Sequence, residues 1–512
     1  MFKRQYKEKN QNCVIRLSNF VIILYNIVKR NKKMRMTLRK IRRMVPFGYH
    51  WKNIWKTLLL FIIINFPSFS QNLYYRGFLE SGILAGTNGS LPFWMISNKY
   101  GRFSPKSFNS YLDGGFLIDS INTGKKNLKL NGGLEEFLRW DGTWKTWIQQ
   151  GYAGVTWGKF SAFVGNKEEH FGMQDPDLSS GFVIWSGNAR PLPKVSIGVT
   201  NWTEVPFTKH FVHFKGGLAH GWFGNDGYVK NVYFHQKYVY FRIGGDKKYH
   251  INLGFHHIAQ WAGVSPEYGK LPSSLGDFIK VCFALESDSA DSKLPYTESH
   301  NRIGNHLGTR DISFDYLFKN GTKILLYWQN FIEDITGLGF RNAMDGLWGL
   351  QISLKQKIGI NYEYVNTVTD PSLPIVNGDI WGLDDYFNNA IYKSYTYQKY
   401  TLGNPFITSP IIFTDENTPY NISNNRICAH YVALKYISLN SAFLLKYSYS
   451  KNYGGRHLLF SPPLVQHSIY CSIEKNINWI NRIICKIGIG IDSGEFYGNR
   501  IGLGISILYY II

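Results

Sequence analysis

The stretch RIGLGISILYYII (Arg500–Ile512) alternates in character along its whole length. Ile501, Leu503, Ile505, Ile507, Tyr509 and Ile511 fall on one side of an extended chain, and Gly502, Gly504 and Ser506 on the other. Successive side chains of a β-strand point to opposite faces, so this period of two predicts a strand with one apolar and one small or polar face. Membrane-crossing strands need about 9–11 residues, whereas ordinary strands average about 5–6. A run this long suits a wall between hydrocarbon and a wet interior.

Two earlier stretches repeat the pattern. Ile358, Ile360, Tyr362 and Tyr364 oppose Gly359, Asn361 and Glu363, and Ile487, Ile489 and Ile491 oppose Lys486, Gly488, Gly490 and Asp492. From Gln71 onward no apolar run approaches the roughly 20 residues of a membrane helix, which excludes a helical bundle in the bilayer. A soluble sandwich also alternates, but its strands are shorter. An open sheet edge in hydrocarbon would leave N–H and C=O groups unpaired, so the sheet must close on itself. The expected fold is an all-β, closed antiparallel transmembrane barrel over 71–512, in one domain, because neither a Pro/Ser-rich linker nor an internal repeat interrupts it.

The amino end carries a different message. Lys52 and Lys56 precede the apolar run Leu58–Phe66, and Pro67-Ser68-Phe69-Ser70 follows it. A basic flank, a short apolar core and small residues before a cut predict a signal peptide over 44–70, cleaved after Ser70. Its late start, with Met34, Met36 and Met44 nearby, marks 1–43 as a misassigned or disordered basic extension, with a basic tail anchored near Phe20–Val28 as the rival reading. Export leaves a periplasmic, outer-membrane or extracellular address, and for a barrel the expected one is the outer membrane.

Composition fits that address. Aromatics make up 16% of the 512 residues, more than in typical soluble chains, and rings favour membrane interfaces. The formal charge of +22 is deceptive: residues 1–56 hold 16 of the 57 Lys and Arg and one of the 35 acids, so the rest is nearly balanced. Nucleic acid is therefore not an expected partner. Cys13, Cys282, Cys428, Cys471 and Cys485 form no CxxC pair. The last four lie in or beside apolar runs and read as small hydrophobes, with a disulfide after export left open.

Six blocks in fixed order are more specific: LPFWMISNKYGRFSPKSFNSYLDGGFLID (Leu91–Asp119), GMQDPDLSSGFVIWSGNARPLPKVSIGVTNWTEVPFT (Gly172–Thr208), GGLAHGWFGNDGYVKNVYFHQKYVYFR (Gly216–Arg242), GNHLGTRDISFDY (Gly304–Tyr316), YWQNFIEDITGLGFRNAMDGLWGL (Tyr327–Leu350) and LGNP (Leu402–Pro405). Together they resemble the capsule assembly Wzi family of outer-membrane proteins, from about Phe93 to the carboxyl end. The resemblance implies about 18 strands, a few short helices near the periplasmic mouth, and a lectin that helps attach capsular or exopolysaccharide to the cell surface. Strand number comes from the resemblance alone. A general porin or a hydrophobic-substrate transporter shares the same wall and stays open as an alternative, as does, more remotely, an outer-membrane hydrolase.

A sugar site combines aromatic faces with groups that hydrogen-bond hydroxyls or pair with acidic sugars. Trp185, Asn188 and Arg190 supply those types in one cluster, and Asn342, Asp345 and Trp348 in another. The bland alternative for each is a membrane-interface ring or a turn residue. Seven of the 14 histidines, His220, His235, His250, His256, His257, His300 and His306, carry no HExxH spacing, and adjacent His256 and His257 should point to opposite faces of a strand, so no metal is expected. Asp175-Pro176-Asp177 lacks calcium-loop spacing and reads as a turn. Ser179-Ser180-Gly181 lacks the GxSxG frame, and His306 near Asp311 has no serine motif, so neither catalysis nor a cofactor is expected. The expected assembly is a monomer in outer-membrane lipid.

Overall fold

The structure, a computed structural model, describes residues 73–122, 127–286, 302–333, 342–369, 385–477 and 482–511. The expected extension and signal peptide, along with His300 and Ile512, lie outside these residues.

Eighteen strands form one antiparallel sheet in which each pairs with its neighbours in sequence. They are β1 (Leu73–Ser90), β2 (Lys106–Asn122), β3 (Leu128–Trp140), β4 (Trp144–Trp157), β5 (Phe160–Asn166), β6 (Lys194–Glu204), β7 (Val212–Gly224), β8 (Val232–Ile243) and β9 (Tyr249–Trp261). They continue as β10 (Asn305–Leu317), β11 (Lys323–Ile332), β12 (Gly346–Leu354), β13 (Ile358–Asn366), β14 (Arg426–Ile437), β15 (Ser441–Gly455), β16 (Leu458–Asn476), β17 (Ile483–Gly494) and β18 (Arg500–Tyr510). The last strand returns to the first, with Phe78 opposite Tyr510 and Gly86 opposite Gly502, so no edge is left and every strand has two partners. The chain is a closed outer-membrane barrel.

The alternation read from the sequence sets the two faces. Ile487, Ile489, Ile501, Leu503, Ile505 and Ile507 lie outward and exposed, while Gly490, Gly502, Gly504, Ser506 and Asp492 face inward and are buried. On β13, Ile360 and Tyr362 lie outward, and Asn361 and Glu363 are fully buried within. Rings mark both rims: β4 opens with exposed Trp144 and ends with exposed Trp157. At about 3.3 Å per residue and a tilt near 40°, these two stand about 33 Å apart along the barrel axis, close to a hydrocarbon core with its flanking interfaces.

Connections divide by end. The end where β1 begins and β18 ends carries short turns such as 158–159 and 355–357, and the opposite end carries the connections 91–105, 167–193, 262–304 and 367–425. Outer-membrane barrels place short turns toward the periplasm and long loops outside. Two helices occur among the described residues, α1 (Phe93–Ile96) and α2 (Leu275–Phe283), both in long connections. Short helices are therefore present as the resemblance implied, though at the long-loop end rather than the short-turn end.

Three of the long connections turn inward and fill the upper barrel. Phe93, Trp94 and Ile96 of α1, Phe182, Val183 and Ile184 of the second, and Tyr386, Phe387, Tyr395, Phe406 and Ile407 of the last form one buried cluster with the inward wall residues Phe137, Phe234 and Tyr431. Glycine makes room for them. A Cβ on Gly502 would stand 2.5 Å from Met95 Sδ and 2.6 Å from Pro92 Cδ, and one on Gly490 2.8 Å from Met95 Cγ. The small-residue face of the last two strands is thus the seat of α1. Polar bonds fasten the same segments: Phe93 N donates to Asp492 Oδ2 at 2.9 Å, Trp94 Nε1 to Ser448 Oγ at 3.0 Å, and Ser180 N to Glu363 Oε2 at 2.8 Å.

The helix α2 behaves differently. It begins with a capping box, Ser274 Oγ accepting from Asp277 N and Asp277 Oδ2 accepting from Ser274 N. It lies against the outer side of β7–β10, where Phe278 and Val281 pack on Trp261 and Ala259. Beneath it, outward-facing His220 opposes His235, and His257 Nε2 meets His306 Nδ1 at 2.9 Å. His256, one residue earlier, faces the interior and meets Gln236 Nε2 at 2.9 Å. Leu275, Ile279 and Phe283, four residues apart, point away from the wall and are exposed. Cys282, Cys428, Cys471 and Cys485 all carry free thiols.

Candidate functional site

Below the inward-folded connections the lumen is not full. A cavity of about 710 Å³ remains, walled by the continuous arc of strands that runs from β16 through β18 and β1 to β4. Its floor is the segment Asn98–Phe103. At its mouth Arg76 and Asp119 pair at 3.6 Å, both more than half exposed, so it opens at the short-turn end. The alternation of the strands explains the lining: Phe78, Glu80, Tyr111, Asp113, Glu135, Tyr152, Tyr470 and Lys486 all lie on inward positions of their strands.

Charge in this cavity is segregated. Arg102 gathers three carboxylates, Glu135 at 2.5 Å, Glu168 at 2.7 Å and Asp113 at 3.4 Å. Gln150 Nε2 donates to Glu135 at 2.7 Å, and Gln149 Nε2 to Glu168 at 2.8 Å. Burial outweighs Arg102 for Glu168, whose carboxyl is held above its ordinary range. Tyr111 donates to Glu80 at 2.7 Å, and Lys486 is paired with Glu474. Every lining carboxylate therefore has a partner.

Two lysines do not. Lys99 Nζ lies over the Tyr470 ring, 5.6 Å from its centre, and Lys167 Nζ over the Tyr152 ring at 4.8 Å. Neither has a carboxylate within ion-pair distance among the described residues. Burial pushes the Lys99 ammonium below the usual lysine range, only partly offset by Tyr470. Such an arrangement can hydrogen-bond hydroxyls, stack on C–H-rich rings and receive a negative group.

The residues picked from sequence fall elsewhere. Trp185 is buried between Phe171 and Phe234, with Lys194 Nζ 4.8 Å from its ring centre. Asn188, fully buried, donates to Thr401 O at 3.2 Å and Ser409 Oγ at 3.0 Å, tying two inward connections together. The Arg190 guanidinium stacks 3.6 Å above Trp147, and burial lowers it to about 10. Asn342 donates to Phe331 O and Tyr386 Oη, and Asp345 accepts from Tyr386 Oη at 2.9 Å and Asn366 Nδ2 at 2.9 Å. Trp348 faces outward beside Trp328 at 5.3 Å, as an interface ring does. The first trio thus shares the upper plug; Asn342 and Asp345 share a second buried knot; Trp348 joins neither.

Lys99, Arg102 and Lys167 escaped sequence reading. A signal did exist, because Lys99 and Arg102 interrupt the otherwise apolar and aromatic block LPFWMISNKYGRF. Their partners Tyr470 and Glu135 are remote in sequence, and only barrel closure unites them.

A closed 18-stranded wall, apolar outside and partly filled by its own connections, defines the class: an outer-membrane β-barrel with an occupied lumen. No family model and no curated protein matches the chain. Among solved structures it is similar to Wzi of Escherichia coli, described as an outer-membrane protein involved in group 1 capsule assembly and as a carbohydrate-binding barrel, with 13% identity over 85% of this chain and 84% of that one and a TM-score of 0.56. The barrel implied by the sequence blocks is thus the fold found. The chain also aligns with the outer-membrane protein OprD of Pseudomonas aeruginosa at 7% identity, over 86% of this chain and 94% of that one, with a TM-score of 0.43.

Proposed function

We propose that this barrel helps hold or assemble capsular polysaccharide, or a related exopolysaccharide, at the outer surface by non-covalent glycan binding, as a monomer and without catalysis. The observation that carries the reading is the inward packing of 91–105, 167–193 and the described part of 367–425. A diffusion pore needs a continuous water path, whereas Trp94, Phe182, Val183, Tyr395 and Ile407 stand fully buried across this lumen. The solved Wzi barrel, alike in fold, is a carbohydrate-binding barrel. Weak contacts repeated along a polymer add through effective concentration, so millimolar affinity at one site suffices to retain a chain.

Deleting the gene and measuring surface-associated against released polysaccharide tests this. Loss of at least half of the cell-bound fraction, restored by the wild-type gene, is the expected result; unchanged retention refutes it. Steady ion conductance of the purified barrel in planar bilayers would support the porin or transporter instead, and lipid or peptide turnover abolished by His306→Ala would support the hydrolase.

A further inference from the structure

We infer that the lower lumen is a binding site for an acidic sugar, with Lys99 and Lys167 receiving carboxylates and Tyr470 and Tyr152 stacking on the rings. The inference rests on the assembly side of the polysaccharide reading and adds to it a place, on the periplasmic side of the plug, and a ligand class.

Three observations converge. An ammonium withdrawn from water, as that of Lys99 is, is costly unless an opposite charge meets it, and the lining carboxylates are already engaged by Arg102, Arg76 and Tyr111. The two spare lysines each sit over a tyrosine ring, on β16 and β4 respectively, so the same pairing recurs on both sides of the cavity. A uronic acid offers both required faces, C–H bonds for the ring and a carboxylate for the ammonium. The volume of about 710 Å³ lies within the usual range for ligand pockets and accommodates a short oligosaccharide. The mouth faces the short-turn end, so the ligand enters from the periplasmic side.

The test is calorimetric titration of the purified full barrel with trigalacturonate, maltotriose and inorganic phosphate. Trigalacturonate is expected to bind, with maltotriose at least tenfold weaker. Lys99→Gln and Lys167→Gln should each weaken trigalacturonate at least tenfold, Lys99→Arg should restore most of it, and Tyr470→Leu should weaken both sugars. Heat-modifiable gel migration verifies that each variant is folded. If Lys99→Gln and Tyr470→Leu bind trigalacturonate as the wild type does, the lumen assignment is wrong while the polysaccharide role stands. Phosphate binding as tightly as trigalacturonate overturns the sugar class. If wild type binds neither sugar, this inference fails outright, and capsule retention then decides separately whether the wider role fails too.

Discussion

Trp94→Ala should release the first inward connection while leaving the barrel closed. The indole is 1% exposed, meets Phe93, Phe406 and Tyr431 at ring separations of 4.7, 5.7 and 5.0 Å, and donates to Ser448. Truncating a buried Trp to Ala costs about 3–5 kcal/mol, because packing is lost and the site collapses only in part. Taking about 4 kcal/mol, and tenfold for each 1.4, the opening equilibrium of this segment rises about a thousandfold. Hydrogen exchange measures that quantity at amides whose bonds open with the segment. Phe93 N, bonded to Asp492, and Ser97 N, bonded to Phe93 O, should lose about three decades of protection. Mid-strand amides of β2 and β18 should hardly change. Unchanged protection at Phe93 and Ser97, or an equal loss around the whole barrel, would refute the idea that α1 is a separately docked plug.

Other changes probe other layers. Glu363→Ala removes the acceptor of Ser180 N, leaving a buried donor unmet at about 1–3 kcal/mol, while Tyr327 Oη, 2.5 Å from Glu363, keeps Asn361 Oδ1 at 3.0 Å; a lower melting temperature and lost protection at Ser180 are expected, and an unaltered melt would deny Glu363 that role. Ile489→Arg puts a charge on the outward face near mid-strand and should destabilise folding into vesicles by about 2–4 kcal/mol, read from denaturant titration. A neutral effect there would place the residue away from hydrocarbon. Ser274→Ala deletes half of a capping box and should weaken α2 by about 1 kcal/mol, seen as faster exchange at Phe278, whose amide bonds Ser274 O.

Much of the wall was legible in the sequence because a strand's period of two is a local property. Ile501 through Tyr509 and Ile487 through Ile491 could be assigned to lipid without knowing their neighbours, and the outward place of Trp348 agrees with its reading as an interface ring. The plug was not legible. Phe182-Val183-Ile184-Trp185 has the composition of a buried strand but runs as irregular chain, held at Val183 by Gln329 and Asn404 and just upstream, at Ser180, by Glu363, all from distant segments. Gly490 and Gly502 could be read as a small inner face, yet nothing local says that Pro92 and Met95 occupy the space. The lumen cavity is harder still. Its lysines are ordinary in sequence and become unusual only when closure puts Tyr470 and Tyr152 beside them and hands every nearby acid to another donor.

The outrigger helix has a consequence for how lipid surrounds the molecule. Where β7–β10 present imidazoles, acyl chains would meet polar edges that ought to be solvated; α2 stands in for those chains and offers Leu275, Ile279 and Phe283 at a greater radius. On that flank the wall itself is covered, and the apolar surface offered to its surroundings is that of the helix.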